Sequence, residues 1–220
     1  VKLDLNIYKA SISEFSKAIK INPKYGDAYY NRGNRKFEIK DYYGAISDFT
    51  KAIEIDPEDG DAYRERGWSK SLLEDYKGAI SDYRKAIKIN PDDHQAYNYM
   101  GNVKLDLNIY KGAISDFSKA IKINTQYGDA YYNRGLAKEN LKDFEGAISD
   151  YTEAIEIYPK GVDAGDAYHG RGYAKEMLKD FEGALSDYTK ATKLIPEDGD
   201  LYMDLHYLKI SLEDFKGAVS

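Results

Sequence analysis

The sequence has no cysteine, a single tryptophan, only five prolines and no long hydrophobic run. Without cysteine the chain can form neither a disulfide bond nor a zinc site with thiolate ligands. This absence suits a reducing compartment, so it slightly favours the cytoplasm. A helix that crosses a membrane needs about 20 consecutive apolar residues, and no segment provides them. We therefore expect no membrane partner.

A basic surface is missing as well. The 220 residues carry a net charge of -6, and the acidic and basic side chains are interspersed rather than grouped. Proteins that bind nucleic acids usually present a basic face that displaces counterions from the phosphates. The charge balance therefore argues against a nucleic-acid partner. A charged fraction of 32% with few prolines is typical of a well-solvated helical protein.

Residue types that support catalysis or metal binding occur without the required spacing. The three histidines, His94, His169 and His206, lie far apart in the sequence and form no ligand motif. Carboxylates and serines are numerous, but they recur at regular intervals, whereas an enzyme needs one singular constellation. We expect no catalytic residue, no metal and no cofactor.

What the sequence does contain is an internal repeat. The octet GDAYYNRG begins at residue 26 and returns at residue 128, and related octets begin at residues 60, 94, 165 and 199. The successive steps are 34, 34, 34, 37 and 34 residues. A second phrase, such as YKGAISDFSKAI at residue 110, keeps the same period. Such a period indicates a repeat architecture rather than a ligand loop.

Both phrases predict helices, named helix A and helix B below. Apolar residues in the second phrase recur three or four residues apart, which places them on one helical face. Proline ends helix B in most repeats, because the residue before a proline is disfavoured in the helical region. Repeats 1 to 5 are predicted at residues 26–59, 60–93, 94–127, 128–164 (with a three-residue insertion) and 165–198. Partial repeats flank them: residues 1–25, mainly a helix B, and residues 199–220, a helix A with the start of a helix B.

The pattern resembles the tetratricopeptide repeat over the whole chain. With Gly26 as position 1, the matching positions of repeat 1 are Tyr29, Gly33, Ala45, Phe49, Ala52 and Pro57. His206 departs from the pattern at position 8, and Thr125 departs at position 32. The resemblance implies an all-α, right-handed superhelical solenoid of antiparallel helix–turn–helix repeats that acts as a protein-binding scaffold.

Two contacts are expected inside each repeat. The glycine of position 8 should face the alanine of position 20, which would let helices A and B approach closely. Arginine replaces the leucine that is common at position 7, and the same repeats carry aspartate at position 23. We expect bidentate ion pairs between them. The predicted pairs are Arg32 with Asp48, Arg66 with Asp82, Arg134 with Asp150 and Arg171 with Asp187, whereas repeat 3 has Met100 in place of arginine.

The resemblance also implies that helix A lines a concave groove. The predicted groove residues are Tyr30, Asn31, Asn34, Arg64, Trp68, Asn98, Tyr99, Asn102, Tyr132, Asn133, His169 and Tyr173. Amphipathic rings together with amides that can pair with a peptide backbone favour peptide recognition. The alternative is that these side chains only pack neighbouring helices against each other.

The charge of the groove limits the choice of partner. The best-known pocket of the family holds a chaperone's C-terminal carboxylate with lysines, asparagines and an arginine. The position where a lysine is expected carries aspartate here, at Asp27, Asp61, Asp129, Asp166 and Asp200. This inversion argues against chaperone tails and favours a neutral or basic peptide.

Two alternatives to a groove-binding scaffold remain. One is a module that self-associates head-to-tail, and the other, disfavoured by charge, is an RNA-binding repeat.

The insertion and the two ends carry further expectations. Three extra residues near Gly161, after Pro159, should form a longer loop between repeats 4 and 5. The chain should pass from a short helix A remnant into helix B near Tyr8. Helices at residues 8–22 and 199–212 then lack partners, which suggests head-to-tail contacts between molecules and a segment of a longer array. The absence of a leader peptide therefore says little.

Overall fold

The computed structural model describes the backbone of residues 2–219 and the side chains of residues 5–212. These residues form twelve α-helices and no strand, so the all-α prediction is confirmed. The helices are α1 (Lys2–Ile21), α2 (Gly26–Glu38), α3 (Tyr42–Ile55), α4 (Gly60–Ser71), α5 (Tyr76–Ile89), α6 (His94–Asp106), α7 (Tyr110–Ile123), α8 (Gly128–Asn140), α9 (Phe144–Ile157), α10 (Val162–Met177), α11 (Phe181–Leu194) and α12 (Gly199–Val219). The chain divides into a first unit, Val1–Val103, and a second unit, Lys104–Ser220.

Helices A and B alternate along the chain. In the first unit α2 packs against α1 and α3, and α4 packs against α3 and α5. In the second unit α8 packs against α7 and α9, α10 against α9 and α11, and α12 against α11. Connections of three or four residues join helix A to helix B in repeats 1 to 5. In repeats 1, 2, 4 and 5 the two helices joined by these short connections are packed neighbours, as expected for antiparallel pairs.

Small and aromatic side chains form the contact between helix A and helix B. In repeat 1, Ala45, Phe49 and Ala52 are almost completely buried. A Cβ atom on Gly33 would lie 2.7 Å from Phe49 Cε1, and the three nearest atoms all belong to that ring. The aromatic ring of position 24 is therefore the nearest neighbour of this glycine. Ring burial offsets the cost of about 1 kcal/mol that glycine incurs within a helix.

The four predicted ion pairs are confirmed. Arg134 Nε and Nη2 donate to the two carboxylate oxygens of Asp150 at 2.8 and 2.6 Å. The same bidentate geometry joins Arg32 to Asp48, Arg66 to Asp82 and Arg171 to Asp187. All four aspartates are buried. Burial by itself raises the pKa of Asp187, but hydrogen bonds from Arg171 and Lys175 outweigh it and hold the pKa below its usual value.

Each ion pair belongs to a larger set of contacts that the sequence analysis did not identify. The lysine of position 11 joins the same carboxylate, as Lys138 Nζ lies 2.7 Å from Asp150 Oδ2. A hydroxyl from the preceding repeat accepts the third guanidinium bond, as Ser118 Oγ does from Arg134 Nη1 at 3.0 Å. The guanidinium also lies over the ring of Tyr131, 5.5 Å from its centroid. The arginine therefore links its own helix pair to the repeat before it.

The turn between helix A and helix B uses one recurring conformation. A residue with a φ between 58 and 66° precedes the cap of helix B in repeats 1 to 5: Lys40, Glu74, Asn108, Lys142 and Lys179. In four repeats an aspartate follows and caps the helix, as Asp41 accepts the backbone N–H of Gly44 at 3.0 Å. A Cβ atom at residue 44 would overlap the Asp41 carboxylate, so a larger residue there would displace the cap.

The predicted long loop between repeats 4 and 5 is wrong. Only residues 158–161 separate α9 from α10, and α10 starts at Val162 and runs for 16 residues. The three extra residues therefore add almost a full turn to helix A. Ala164 and Gly165 of this turn are buried, and a Cβ atom on Gly165 would lie 2.9 Å from Ile195 Cγ1. Packing stabilises the added turn, because most helical stability in proteins comes from tertiary contacts.

The expected turns near the two ends are also wrong. Lys2–Ile21 is one continuous helix, so no turn separates a helix A remnant from helix B at Tyr8. Gly199–Val219 is likewise continuous through the point where repeats 1 to 5 turn. Val1 and Ser220 lie outside the described residues.

Candidate peptide-binding face

The predicted groove residues all lie on helices A. Eight belong to the first unit: Tyr30, Asn31 and Asn34 on α2, Arg64 and Trp68 on α4, and Asn98, Tyr99 and Asn102 on α6. Four belong to the second unit: Tyr132 and Asn133 on α8, and His169 and Tyr173 on α10.

Three rings of the first unit form a stacked row. The centroids of Phe37 and Trp68 are 4.4 Å apart, and those of Trp68 and Tyr99 are 5.0 Å apart with planes inclined by 24°. Each ring comes from the helix A of a different repeat, and all three residues are partly exposed. We call this set, Phe37, Trp68 and Tyr99, the aromatic row. Phe37 was not among the predicted residues, although its seven-residue spacing from Tyr30 places both on one helical face.

Arg64 is held by carboxylates rather than free in a groove. Its Nη1 lies 2.6 Å from Asp61 and 2.8 Å from Asp93, and its Nη2 lies 3.1 Å from Glu65. Only 12% of the arginine side chain is exposed. Burial by itself would lower the pKa of Arg64, but Asp93, followed by Glu65 and Asp61, raises it. Burial of Glu65 raises the pKa of its carboxyl group, and the charge of Arg64 opposes this rise.

The remaining predicted residues of α2 have local partners. The ring of Tyr30 packs 5.8 Å from that of Phe49, and burial raises the Tyr30 pKa while a hydrogen bond with Asn34 opposes the rise. Asn31 Nδ2 donates to the backbone oxygen of Asp27 at 2.8 Å. Tyr30 therefore packs against helix α3, and Asn31 stabilises its own helix α2. The partly exposed Tyr30 also lines the pocket described below.

The two predicted asparagines of α6 differ in accessibility. Asn98 is buried, so it lies beneath the helix A face rather than on it. Asn102 is partly exposed, but its Oδ1 atom is buried and has no hydrogen-bond partner. Neither amide presents its full hydrogen-bonding capacity to a peptide in this arrangement.

The second unit carries separate aromatic contacts instead of a stacked row. Tyr132 packs 5.7 Å from Tyr151, and burial raises the pKa of Tyr132 to about 12. His169 Nε2 lies 2.8 Å from an Asp204 carboxylate oxygen. Tyr173, 40% exposed, is the predicted residue of this unit that stands out to solvent. Asn133 is partly buried on α8.

The first unit also contains an acidic pocket of about 440 Å³ that the sequence analysis did not identify. Six carboxylates line it together with Tyr30, Gly60, Ile89 and Asn90: Asp27, Asp56, Glu58, Asp59, Asp61 and Asp93. Burial raises the pKa of Asp59, and the charges of Asp61 and Asp56 add to the rise. The aspartates of position 2 were a visible signal, but the residues that connect repeats bring the other acidic groups to the same place.

Other kinds of site find no support in the described part of the chain. No group of three or more histidine, aspartate or glutamate side chains among these residues is arranged to hold a metal ion. None of the described helices combines the length and the apolar character that crossing a membrane requires.

Comparison with protein families agrees with the repeat pattern. Family models described as tetratricopeptide repeat or TPR repeat match residues 26–59, 72–108, 101–142, 128–160 and 165–198, which is well over half of the chain. The chain belongs to the tetratricopeptide repeat (TPR) family. The comparison with curated proteins gives no match.

Solved TPR structures resemble the fold. The crystal structure of YrrB, described as a TPR protein with an unusual peptide-binding site, superposes with a TM-score of 0.70 at 24% identity, covering 88% of this chain and 97% of YrrB. MamA superposes with a TM-score of 0.66 at 26% identity, covering 76% of this chain and 90% of MamA. Yeast Tom70 gives a TM-score of 0.72 at 19% identity, covering 92% of this chain and 43% of Tom70. Membership of the TPR family supports a protein–protein interaction scaffold, and proteins of this family are generally non-catalytic.

Proposed function

We propose that this TPR chain is a non-catalytic interaction module that binds a peptide segment on the helix A face of its first unit. The aromatic row carries the proposal, because three partly exposed rings from three repeats form one continuous surface. Large rigid rings contribute apolar contact area at a low cost in conformational entropy, and such residues dominate many binding interfaces. Of the predicted residues, Trp68 and Tyr99 belong to this surface, and Tyr30, Asn34 and Asn102 lie on helices α2 and α6, which also contribute members of the row.

The partner in this proposal is a neutral or basic peptide. Position 2 of the repeat is acidic in the first unit at Asp27 and Asp61, and the acidic pocket adds further carboxylates. Opposite charge speeds encounter and disfavours acidic competitors. The description of YrrB as a peptide-binding TPR protein agrees with the proposal, although that likeness concerns the fold alone.

Selection from a library of random displayed peptides tests this function. We expect selected peptides to change the fluorescence of Trp68, the only tryptophan, and to lose affinity for the Trp68→Ala and Tyr99→Ala variants. Tyr43→Ala is the matched control, because Tyr43 is 77% exposed on helix B and lies outside the proposed face. Failure to select any peptide, or selection of peptides that bind both row variants unchanged, would reject the proposal.

A second candidate function is head-to-tail self-association. It is supported by α12, which exposes Tyr202, Met203, Tyr207 and Ile210 while Leu201, Leu205 and Leu208 pack inward. His206 stands where other repeats have glycine against an aromatic ring, so an ordinary helix B could not pack there without rearrangement. Sedimentation over a wide concentration range distinguishes the candidates. Oligomers that dissociate with Tyr207→Lys and are unaffected by Trp68→Ala would favour self-association, and a monomer at every concentration would reject it.

A further inference from the structure

The acidic pocket and the aromatic row lie on the same face of two helices. On α2, Tyr30 lines the pocket and Phe37 belongs to the row. On α4, Asp61 lines the pocket and Trp68 belongs to the row. Residues seven apart share a helical face and are separated by about 10 Å along the axis. A ligand that extends along this face therefore meets both features.

Negative charge in the pocket is only partly balanced. Among the described residues, Arg64 is the one basic side chain bonded to its carboxylates, and it bonds Asp61 and Asp93. The other acidic groups have backbone partners at most: Asp56 accepts the N–H of Glu58 at 3.0 Å, and Asp59 accepts that of Ala62 at 2.9 Å. A second cation in this space would be attracted by several carboxylates at once.

The volume and walls of the pocket can accommodate a long basic side chain. Its 440 Å³ falls within the usual range of about 300–1,000 Å³ for ligand pockets. Tyr30 and Ile89 supply apolar contact for an aliphatic stem, and the carboxylates supply acceptors for a charged end.

We propose that the pocket takes the arginine or lysine side chain of a bound peptide while an apolar side chain three residues away in the peptide lies against the aromatic row. This inference rests on the proposed function and names the partner class: a basic peptide in polyproline II conformation. That conformation repeats every three residues and rises about 3.1 Å per residue, so residues i and i+3 lie on one side about 9 Å apart. A β-strand would point the same two side chains to opposite sides.

Synthetic peptides test the charge and the spacing. The probe is the blocked peptide Gly-Arg-Pro-Pro-Phe-Gly, titrated against the full chain with Trp68 fluorescence as the readout. Its matched controls are the same peptide with neutral citrulline in place of arginine and a peptide with one proline removed. We expect each control to bind at least about tenfold more weakly, the loss typical of one charge-assisted contact.

Variants of the chain locate the charge effect. The double variant Asp59→Asn with Asp61→Asn should bind the arginine peptide about as weakly as the parent binds the citrulline peptide. Asparagine still caps helices, so Asp59→Asn preserves the start of α4. Asp129→Asn, the position 2 change in repeat 4, is the control and should leave binding unchanged.

The outcomes separate this inference from the proposed function. Equal affinity for the arginine and citrulline peptides, or unchanged affinity in the Asp59/Asp61 variant, would overturn the inference. No binding by the arginine peptide at millimolar concentration would overturn it too. In each of these cases, peptides from the random library that still require Trp68 would leave the proposed function standing.

Discussion

Repeats 3 and 4 each contain a helix A and a helix B, but their polar contacts differ. In repeat 4, Arg134 and Lys138 bond Asp150, and Asp143 caps helix B. Repeat 3 has Met100 at the arginine position and Ile109 at the cap position, and Ile109 provides no side-chain cap. The pairing of Lys104 with Asp116 remains, as the equivalent of Lys138 with Asp150.

What the two repeats share is their apolar pattern. Ala113, Phe117 and Ala120 in repeat 3 are as buried as Ala147, Tyr151 and Ala154 in repeat 4. Small residues and one aromatic ring therefore specify how helix B packs. The polar contacts add stability and specificity on that framework, in agreement with the small net contribution of many buried ion pairs.

Several departures from the recurring polar residues occur close together in repeats 2 and 3. Position 25, which supplies a hydroxyl to the arginine of the next repeat, is Arg84 just before the repeat that carries Met100. Repeat 3 therefore lacks the arginine at position 7, and the repeat before it lacks the hydroxyl that would accept from that arginine. Asn108 occupies the positive-φ turn of repeat 3, and asparagine tolerates that conformation better than the lysine or glutamate of other repeats.

The largest expected effect comes from removing a buried carboxylate of a complete set. Asp150→Ala leaves Arg134 and Lys138 without their shared partner, and we expect the second unit to lose about 3 kcal/mol of unfolding free energy. Asp116→Ala in repeat 3 removes a carboxylate that has no position 7 arginine, and we expect a smaller loss of about 1–2 kcal/mol. Urea denaturation followed by circular dichroism measures both. Equal losses would contradict the distinction between the two repeats.

Arg134→Met should convert repeat 4 towards the arrangement of repeat 3. Asp150 keeps Lys138, so we expect a loss of only about 1–2 kcal/mol in the same denaturation measurement. Lys111→Met, an exposed change on helix B of repeat 3, is the control and should have little effect. A loss as large as that of Asp150→Ala would show that the lysine contributes nothing by itself.

Ile109→Asp should give repeat 3 the cap that repeats 1, 2, 4 and 5 have. Gly112 already stands three residues later, so an aspartate can accept its N–H, and we expect a gain of about 1 kcal/mol. Asp143→Ala should lose a similar amount in repeat 4. Thermal unfolding of both variants checks the prediction. No gain in repeat 3 beside a clear loss in repeat 4 would show that the Ile109 side chain makes a compensating contact.

Acidification should produce the smallest effect, which is the loss of the stabilisation that one lowered pKa provides. The folded pKa of Asp187 lies below its usual value of 3.8, so its ionised form stabilises the fold above about pH 4. This stabilisation is lost as the pH falls through the lowered folded pKa. Asp187→Asn should therefore be less stable than the parent at neutral pH, and the gap should narrow below about pH 4. Asp200→Asn, an exposed change, should follow the parent throughout.

Features that depend on one repeat period could be predicted from the sequence. The arginine and aspartate of each ion pair lie 16 residues apart on adjacent antiparallel helices, so their joint recurrence in repeats 1, 2, 4 and 5 identified the partners. Lys138 recurs with the same period, but a lysine on a helix is usually a solvated residue, and its role was missed. The insertion was mispredicted because glycines near Pro159 favour a loop locally, whereas burial of Ala164 and Gly165 favours helix.

The sequence by itself determined the helix pairs, their core residues and the ion-pair partners, because each repeat needs only its own side chains and its nearest neighbours to bury an apolar face. Only the tertiary structure decided which helix A side chains meet solvent. Asn98 is buried while Trp68 joins a partly exposed row, and Arg64 is held by Asp93 from 29 residues away. Accessibility and charge pairing depend on side chains that neighbouring repeats bring together, and a position within one repeat does not specify them.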